Sequence, residues 1–193
     1  MYYLETEIEG VTPMKQNKVT DRVLVEIGGM DEQSAYGGKK QTPEEIAKEW
    51  EQKAYRQNGH YLIPRTHLQG ALNIGMCSPV AIKSNRVKMS RAKAKGTIFV
   101  QKDGIITYPK DKKKYKPERN VDFFNTMRGD LICQVRPMFK EGWTAIFKIF
   151  IAQDWLTVDA FKEGLIQTGQ CHGVGSNRPA FGRFIVKSVK KID

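Results

Sequence analysis

The sequence predicts an α+β protein: a ferredoxin-like antiparallel sheet with helices on one face and a basic inserted segment. Three observations lead there. The elements run strand, helix, strands, helix, strand, the order of a sheet covered on one side by two helices. The strand segments are short, aromatic and β-branched, while the helical ones carry apolar stripes at 3.6-residue spacing. The chain of 193 residues, 40% of them apolar, is long enough for one sizeable core and short for two, so residues 1–193 read as a single domain.

Tyr2 to Glu9 reads as the first strand and Arg22 to Ile27 as a second, ended by Gly28-Gly29. Between them "GVTPMKQNKVT" is a turn-prone basic loop, and "MDEQSAYGGKKQ" shows no periodicity. Thr42, Pro43 and Glu45 form a helix start with a capping box; Ile46, Ala47, Trp50, Ala54 and Tyr55 share one face, and Asn58-Gly59 closes the helix. Pro64 holds Ile63 extended, and Thr66 with Gln69 offers a second capping box ahead of the stripe Leu68, Ala71, Leu72 and Met76. Gly70 and Gly75 cost helix propensity there, which points to a close neighbour. "GTIFVQKDGIITYP" reads as a hairpin turning at Asp103-Gly104. Leu131 to Val135 and Trp143 to Ile151 are strands on either side of the Glu141-Gly142 turn. Thr157 caps a helix bearing Val158, Phe161 and Leu165, which Gly169 stops; Phe184 to Val189 is the last strand.

Charge is the loudest compositional signal. The formal net charge is +11, and residues 83–119 hold thirteen Lys/Arg against Asp103, Asp111 and Glu118, a surplus of +10. Such concentration favours a polyanion-binding face over general solubility. An anionic membrane would attract the same charge, but no amphipathic helix accompanies it. No run approaches the roughly 18 apolar residues of a membrane span, and "MYYLETEIEG" lacks a signal peptide's basic and apolar regions. A cytoplasmic protein without a membrane partner is expected. Cys77, Cys133 and Cys171 are odd in number and lack C-x-x-C spacing, so neither a disulfide framework nor a metal site is expected.

The most unusual passage is "TGQCHGVGSNRPAFGRFIV", Thr168 to Val186. A phosphate-binding G-x-x-x-x-G-K-[ST] string is absent. "GVGSNR" has Arg178 in the third glycine's place of a dinucleotide fingerprint, and the stretch follows a helix and enters a strand, the reverse of the required order. No cofactor is expected. What remains is an anion site: glycines let the main chain approach phosphate and turn its N–H groups outward, Arg178 and Arg183 add bidentate contacts, and Ser176 and Asn177 add hydrogen bonds. A plain structural turn with exposed arginines is the alternative.

Two segments extend that reading. A glycine-rich basic loop between the last helix and last strand resembles the signature of the RAMP superfamily, the ferredoxin-like (RRM-like) RNA-binding subunits of CRISPR effector complexes. "IPRTHLQGAL", Ile63 to Leu72, is similar to the helix start of that superfamily's backbone subunits, and the basic segment is similar in placement to their protruding thumb. The "GxGxxRPxFGRF" form looks like that of phage and viral proteins. The resemblance implies a RAMP-like fold and single-stranded nucleic-acid binding, not membership of a CRISPR complex. Arg65, Thr66, His67 and Gln69 would begin a helix facing the nucleic-acid backbone, with Gly173, Gly175, Ser176, Asn177 and Arg178 in the loop beside it. For the acidic cleavage residue that some backbone subunits carry, Asp21 or Asp31 is a guess.

The leading expectation is a non-enzymatic protein that binds single-stranded RNA, or DNA, through those residues, Arg183, and Lys83, Arg86, Lys88, Arg91, Lys93 and Lys95, with homo-oligomer or effector-complex partners. Tyr108 and Tyr115 would be available for base stacking. One rival is a metal-independent endoribonuclease using His67 or His172 as general base. Another is a virus-encoded interaction protein with a basic docking face.

Overall fold

The computed structural model describes residues 1–19, 43–77, 89–109, 116–125 and 131–192. In chain order the elements are β1 (Tyr2–Gly10), β2 (Met14–Lys15), α1 (Pro43–Gln52), β3 (Arg56–Gln57), β4 (His60–Ile63), α2 (Arg65–Gly75), α3 (Arg91–Thr97), β5 (Ile98–Val100), β6 (Gly104–Ile105), β7 (Glu118–Asn125), β8 (Leu131–Phe139), β9 (Thr144–Ile151), α4 (Val158–Cys171) and β10 (Phe184–Ile192). The expected strand at Arg22 to Ile27, the "MDEQSAYGGKKQ" stretch and the Thr42 cap lie outside the described residues.

β10, β1, β9 and β5 lie in that order in one sheet, every pair antiparallel. With α2 between β1 and β5, and α4 between β9 and β10, this is the ferredoxin-like arrangement the sequence predicts. Alternation sets the faces. Leu4 and Ile8 of β1, Phe147 and Ile149 of β9, and Ile98 and Val100 of β5 join the core with Leu68 and Leu72 of α2 and Phe161 and Leu165 of α4. Where α2 crosses α4, Gly75 lies flush on Thr168; a Cβ there would overlap the threonine side chain and main chain. That bears out the expected close neighbour for Gly75, whereas Gly70 faces open space.

Two smaller sheets flank the first: β2-β8-β7 and β3-β4-β6. They account for most of the local corrections. Ile98 to Ile105 does not fold back as a hairpin at Asp103-Gly104. β5 pairs with β9 and β6 with β4, because both of those strands offer an open edge and burial of Ile98 and Val100 outweighs the local turn. Asn58-Gly59 closes no helix: α1 ends at Gln52, and Asn58 (φ 50°) with Gly59 (φ 78°) turns the β3–β4 hairpin, the left-handed pair such a two-residue turn demands. α4 passes through Gly169 and runs to Cys171. Thr157 does cap it, accepting a hydrogen bond from the Ala160 amide at 3.2 Å. α3 and β7 had no counterpart among the expected elements. The described part of 83–119 is woven into the sheets: Ser90 caps α3, β5 is the edge strand of the main sheet, and Glu118 and Arg119 open β7. Among the described residues no helix is long and apolar enough to cross a membrane.

Candidate nucleic-acid interface

The glycine-rich loop leaves α4 at Gly173 and is sewn to the 11–16 segment that follows β1. Ser176 donates its amide to the Lys15 carbonyl at 2.8 Å, Gly182 to Pro13 at 2.8 Å and Val174 to Gly182 at 2.9 Å. The Arg183 amide donates to Thr12 Oγ1 at 2.9 Å. The glycines therefore serve chain-to-chain contact. Gly175 (φ 85°) would place a Cβ 2.5 Å from the Lys15 carbonyl oxygen, and Gly182 (φ 77°) would drive one into the carbonyl of Val174. The amides of Val174, Ser176, Gly182 and Arg183 are spent inside the protein and are not available to a phosphate.

Beneath the loop lies a charge cluster assembled from four segments. Lys15, only 2% exposed, donates to Asp122 Oδ1 of β7 at 2.5 Å, and its Nζ sits 3.7 Å from the centre of the Phe181 ring. Arg136 of β8, 8% exposed, donates from Nη1 to Asn177 Oδ1 at 2.6 Å, reaches Asp122 Oδ2 at 3.5 Å and also bonds Gln134. Asn177, at φ 59°, donates its Nδ2 to Asp122 Oδ2 at 3.3 Å. Two buried cations share one carboxylate, and Arg136 Nε, also buried, has no partner. Burial lowers the Arg136 pKa, opposed by Asp122. Among the described residues Asp122 is the carboxylate paired with both cations. The Asn177 side chain is bonded to this cluster while the residue itself remains exposed.

Arg178 is exposed, and its guanidinium lies close enough to both His67 and His172 to depress their protonation, adding to the effect of burial. The structure thus brings the loop and the start of α2 together, as the sequence suggested. Thr66 is exposed, and His67 packs edge-on against Tyr55 with ring centroids 5.2 Å apart, its Nδ1 buried and unpartnered. The start of α2 is otherwise occupied. The Thr66/Gln69 capping box does not form, because α2 begins directly after Pro64 and Asp103 Oδ1 accepts from the Arg65 amide at 2.7 Å. That carboxylate stands where a phosphate was expected. Gln69 turns toward β5, donating to the Ile98 carbonyl and accepting from the Val100 amide, both at 2.9 Å. It extends the sheet's hydrogen bonding to a helix and is a structural residue. Arg65 borders an open groove of about 460 Å³ that Gln57, His60, Lys102 and Asp103 also line.

The remaining candidates divide. Lys83, Arg86 and Lys88 lie outside the described residues, as do Asp21, Asp31 and Tyr115. Arg91, Lys93 and Lys95 are exposed on α3, with Arg91 near Cys77 beyond the far end of α2. At about 1.5 Å per residue, that is roughly 15 Å from His67. Arg183 folds its Nε onto the Pro179 carbonyl at 2.8 Å. Tyr108 is not free to stack on a base: it is 5% exposed, donates to the Lys140 carbonyl at 2.8 Å, and burial raises its pKa. Lys15, Asp122 and Arg136 were missed by the sequence reading, since nothing local marks a lysine and an aspartate brought together across 107 positions, or the arginine that joins them from the neighbouring strand.

No family model matches the chain, and no curated protein matches it either. It is similar to a chain in a cryo-EM structure of the type III-B Cmr-beta bound to cognate target RNA, with a TM-score of 0.52 and 13% identity. The match covers 100% of this chain and 61% of that one, so this chain spans about three-fifths of that chain's length. What the two share is an α+β fold.

Proposed function

We propose that the protein binds single-stranded nucleic acid, RNA in preference to DNA, across a surface centred on Arg178, as a RAMP-like subunit working beside further copies or other subunits. The observation that carries this is an exposed arginine beside the start of α2, next in the chain to Asn177, which bonds the buried Arg136 and the carboxylate that Arg136 shares with Lys15. Arg178 takes a phosphate by paired N–H donation, and Lys15 and Arg136 set a positive field behind it. The strand then runs along α2 toward Arg91, Lys93 and Lys95. Likeness to a chain of an assembly bound to target RNA supports the choice of ligand.

Filter binding of a single-stranded RNA across a salt series tests the reading. If about six phosphates are engaged, log affinity falls with log salt at a slope near −4. Arg178→Ala is expected to weaken binding about tenfold, as loss of a charged hydrogen-bonding partner does, and Lys93→Ala by clearly less. A flat salt response, or equal losses in the two variants, overturns it.

A further inference from the structure

The helices cover one face of the main sheet, and the opposite face carries a row of aromatic rings. Tyr3 on β1 stands directly across from Phe150 on β9, and Phe150 directly across from Phe99 on β5. The ring centroids are 5.0 Å and 6.2 Å apart, with interplanar angles of 42° and 33°. Tyr3 and Phe99, at 36% and 39% exposure, lean on Phe150 from either side. Beside this row the register sets Glu5 between Lys190 and Lys148, and Lys148 Nζ lies 4.5 Å from the centre of the Tyr3 ring. Farther along, Glu9 is paired with Lys187 at 3.0 Å.

We propose that this outer face is a base-stacking platform for single-stranded nucleic acid, with Tyr3, Phe150 and Phe99 receiving bases and Lys148 and Lys190 the adjoining phosphates. Three rings in register across neighbouring strands offer flat apolar surface at a repeat of one strand spacing, which suits successive unpaired bases and tolerates any of them. The flanking charge selects the occupant. In the row beside the rings Lys148 and Lys190 flank Glu5, while farther along β1 Glu7 and the Lys187-paired Glu9 share the face. The positive surplus is therefore confined to the end that carries the rings, and a strand with aromatic bases and phosphates complements that end in both respects. The proposal rests on nucleic-acid binding but uses a surface distinct from the Arg178 centre.

The two surfaces separate experimentally, because bases and phosphates can be varied independently. Fluorescence anisotropy is measured with a labelled single-stranded oligonucleotide and with an abasic oligomer of equal length and backbone. The double variant Tyr3→Ala/Phe99→Ala removes only the two outer, partly exposed rings; unchanged thermal unfolding confirms its fold, and Phe150→Leu serves as a second probe. Loss of two stacking partners is expected to weaken binding of the base-bearing strand about 30-fold and to leave the abasic strand unchanged, whereas Arg178→Ala weakens both. Equal affinity of the double variant and wild type for the base-bearing strand overturns the platform. So does an equal loss for both strands. Sedimentation in which wild type self-associates and the double variant does not, with unchanged nucleic-acid affinity, assigns the face to a second copy instead. Wild type that binds neither strand overturns the Arg178 reading and this one together.

Discussion

His67 has a buried Nδ1 without a partner, lies edge-on to Tyr55, and stands in the opposed fields of Arg178 and Asp103. Burial leads, Arg178 adds to it, and the folded protein holds the imidazole below its ordinary pKa. As pH falls the unfolded chain therefore takes the proton first. The stability this neutral histidine contributes is complete above the unfolded value of about 6.5 and is lost as pH falls toward the lower folded value. Urea midpoints measured from pH 8 to pH 5 should fall less steeply in His67→Gln than in wild type. His172, depressed for the same two reasons, contributes a slope of the same sign that His67→Gln leaves in place. Superimposable pH profiles would show that His67 does not titrate this way. The pairing of His67 with Arg178 was legible in the sequence only through the resemblance, since the two lie over a hundred residues apart. The Asp103 carboxylate that opposes it was hidden by a turn dipeptide that looked like a hairpin.

At the level of elements, Gln69 shows how a plausible contact residue becomes a structural one. Its side-chain amide joins α2 to β5 through Ile98 and Val100 and also bonds Asn73 at 2.9 Å. Gln69→Ala leaves a strand amide and carbonyl unmatched at a half-buried site, at a cost of about 2 kcal/mol, readable as a shifted denaturation midpoint. Nucleic-acid affinity of the folded variant should match wild type; a parallel loss of affinity would return Gln69 to the binding surface. Elements with their own periodicity and cap, such as α4 with Thr157, were legible in the sequence. Those fixed by a distant partner were not. β5 and β6 are three and two residues long, and their pairing follows from the open edges of β9 and β4. The Asn58-Gly59 pair carried the stronger hairpin signal, but the helical stripe before it masked that signal.

Across the whole molecule, the cluster around Asp122 ties the main sheet to the β2-β8-β7 sheet. Lys15 lies on β2, Asp122 on β7, Arg136 on β8, and Asn177 in the loop that enters β10. Asp122→Asn strips the shared negative charge from two buried cations, and breaking such a set costs about 3–5 kcal/mol. Lys15→Met removes one cation and keeps the Arg136–Asp122 contact, so it should cost less in the same chemical denaturation experiment. The reverse ranking would mean that the lysine's contact with Phe181 dominates. The sequence carried β1, β9 and β10 as strands because short apolar and β-branched runs mark them well. It concealed the second sheet's junction because ion-pair partners leave no periodic trace. The central place of β1 has a consequence for biosynthesis. It hydrogen-bonds to β9 on one side and β10 on the other, with Tyr3 opposite Phe150 and Ile192. A ribosome delivers β1 well before either neighbour, so its apolar Leu4 and Ile8 stay unsheltered while more than a hundred further residues are translated. Assembly of the main sheet is then a late event dominated by contacts distant along the chain, the condition under which folding is slow and nascent chains depend most on chaperones.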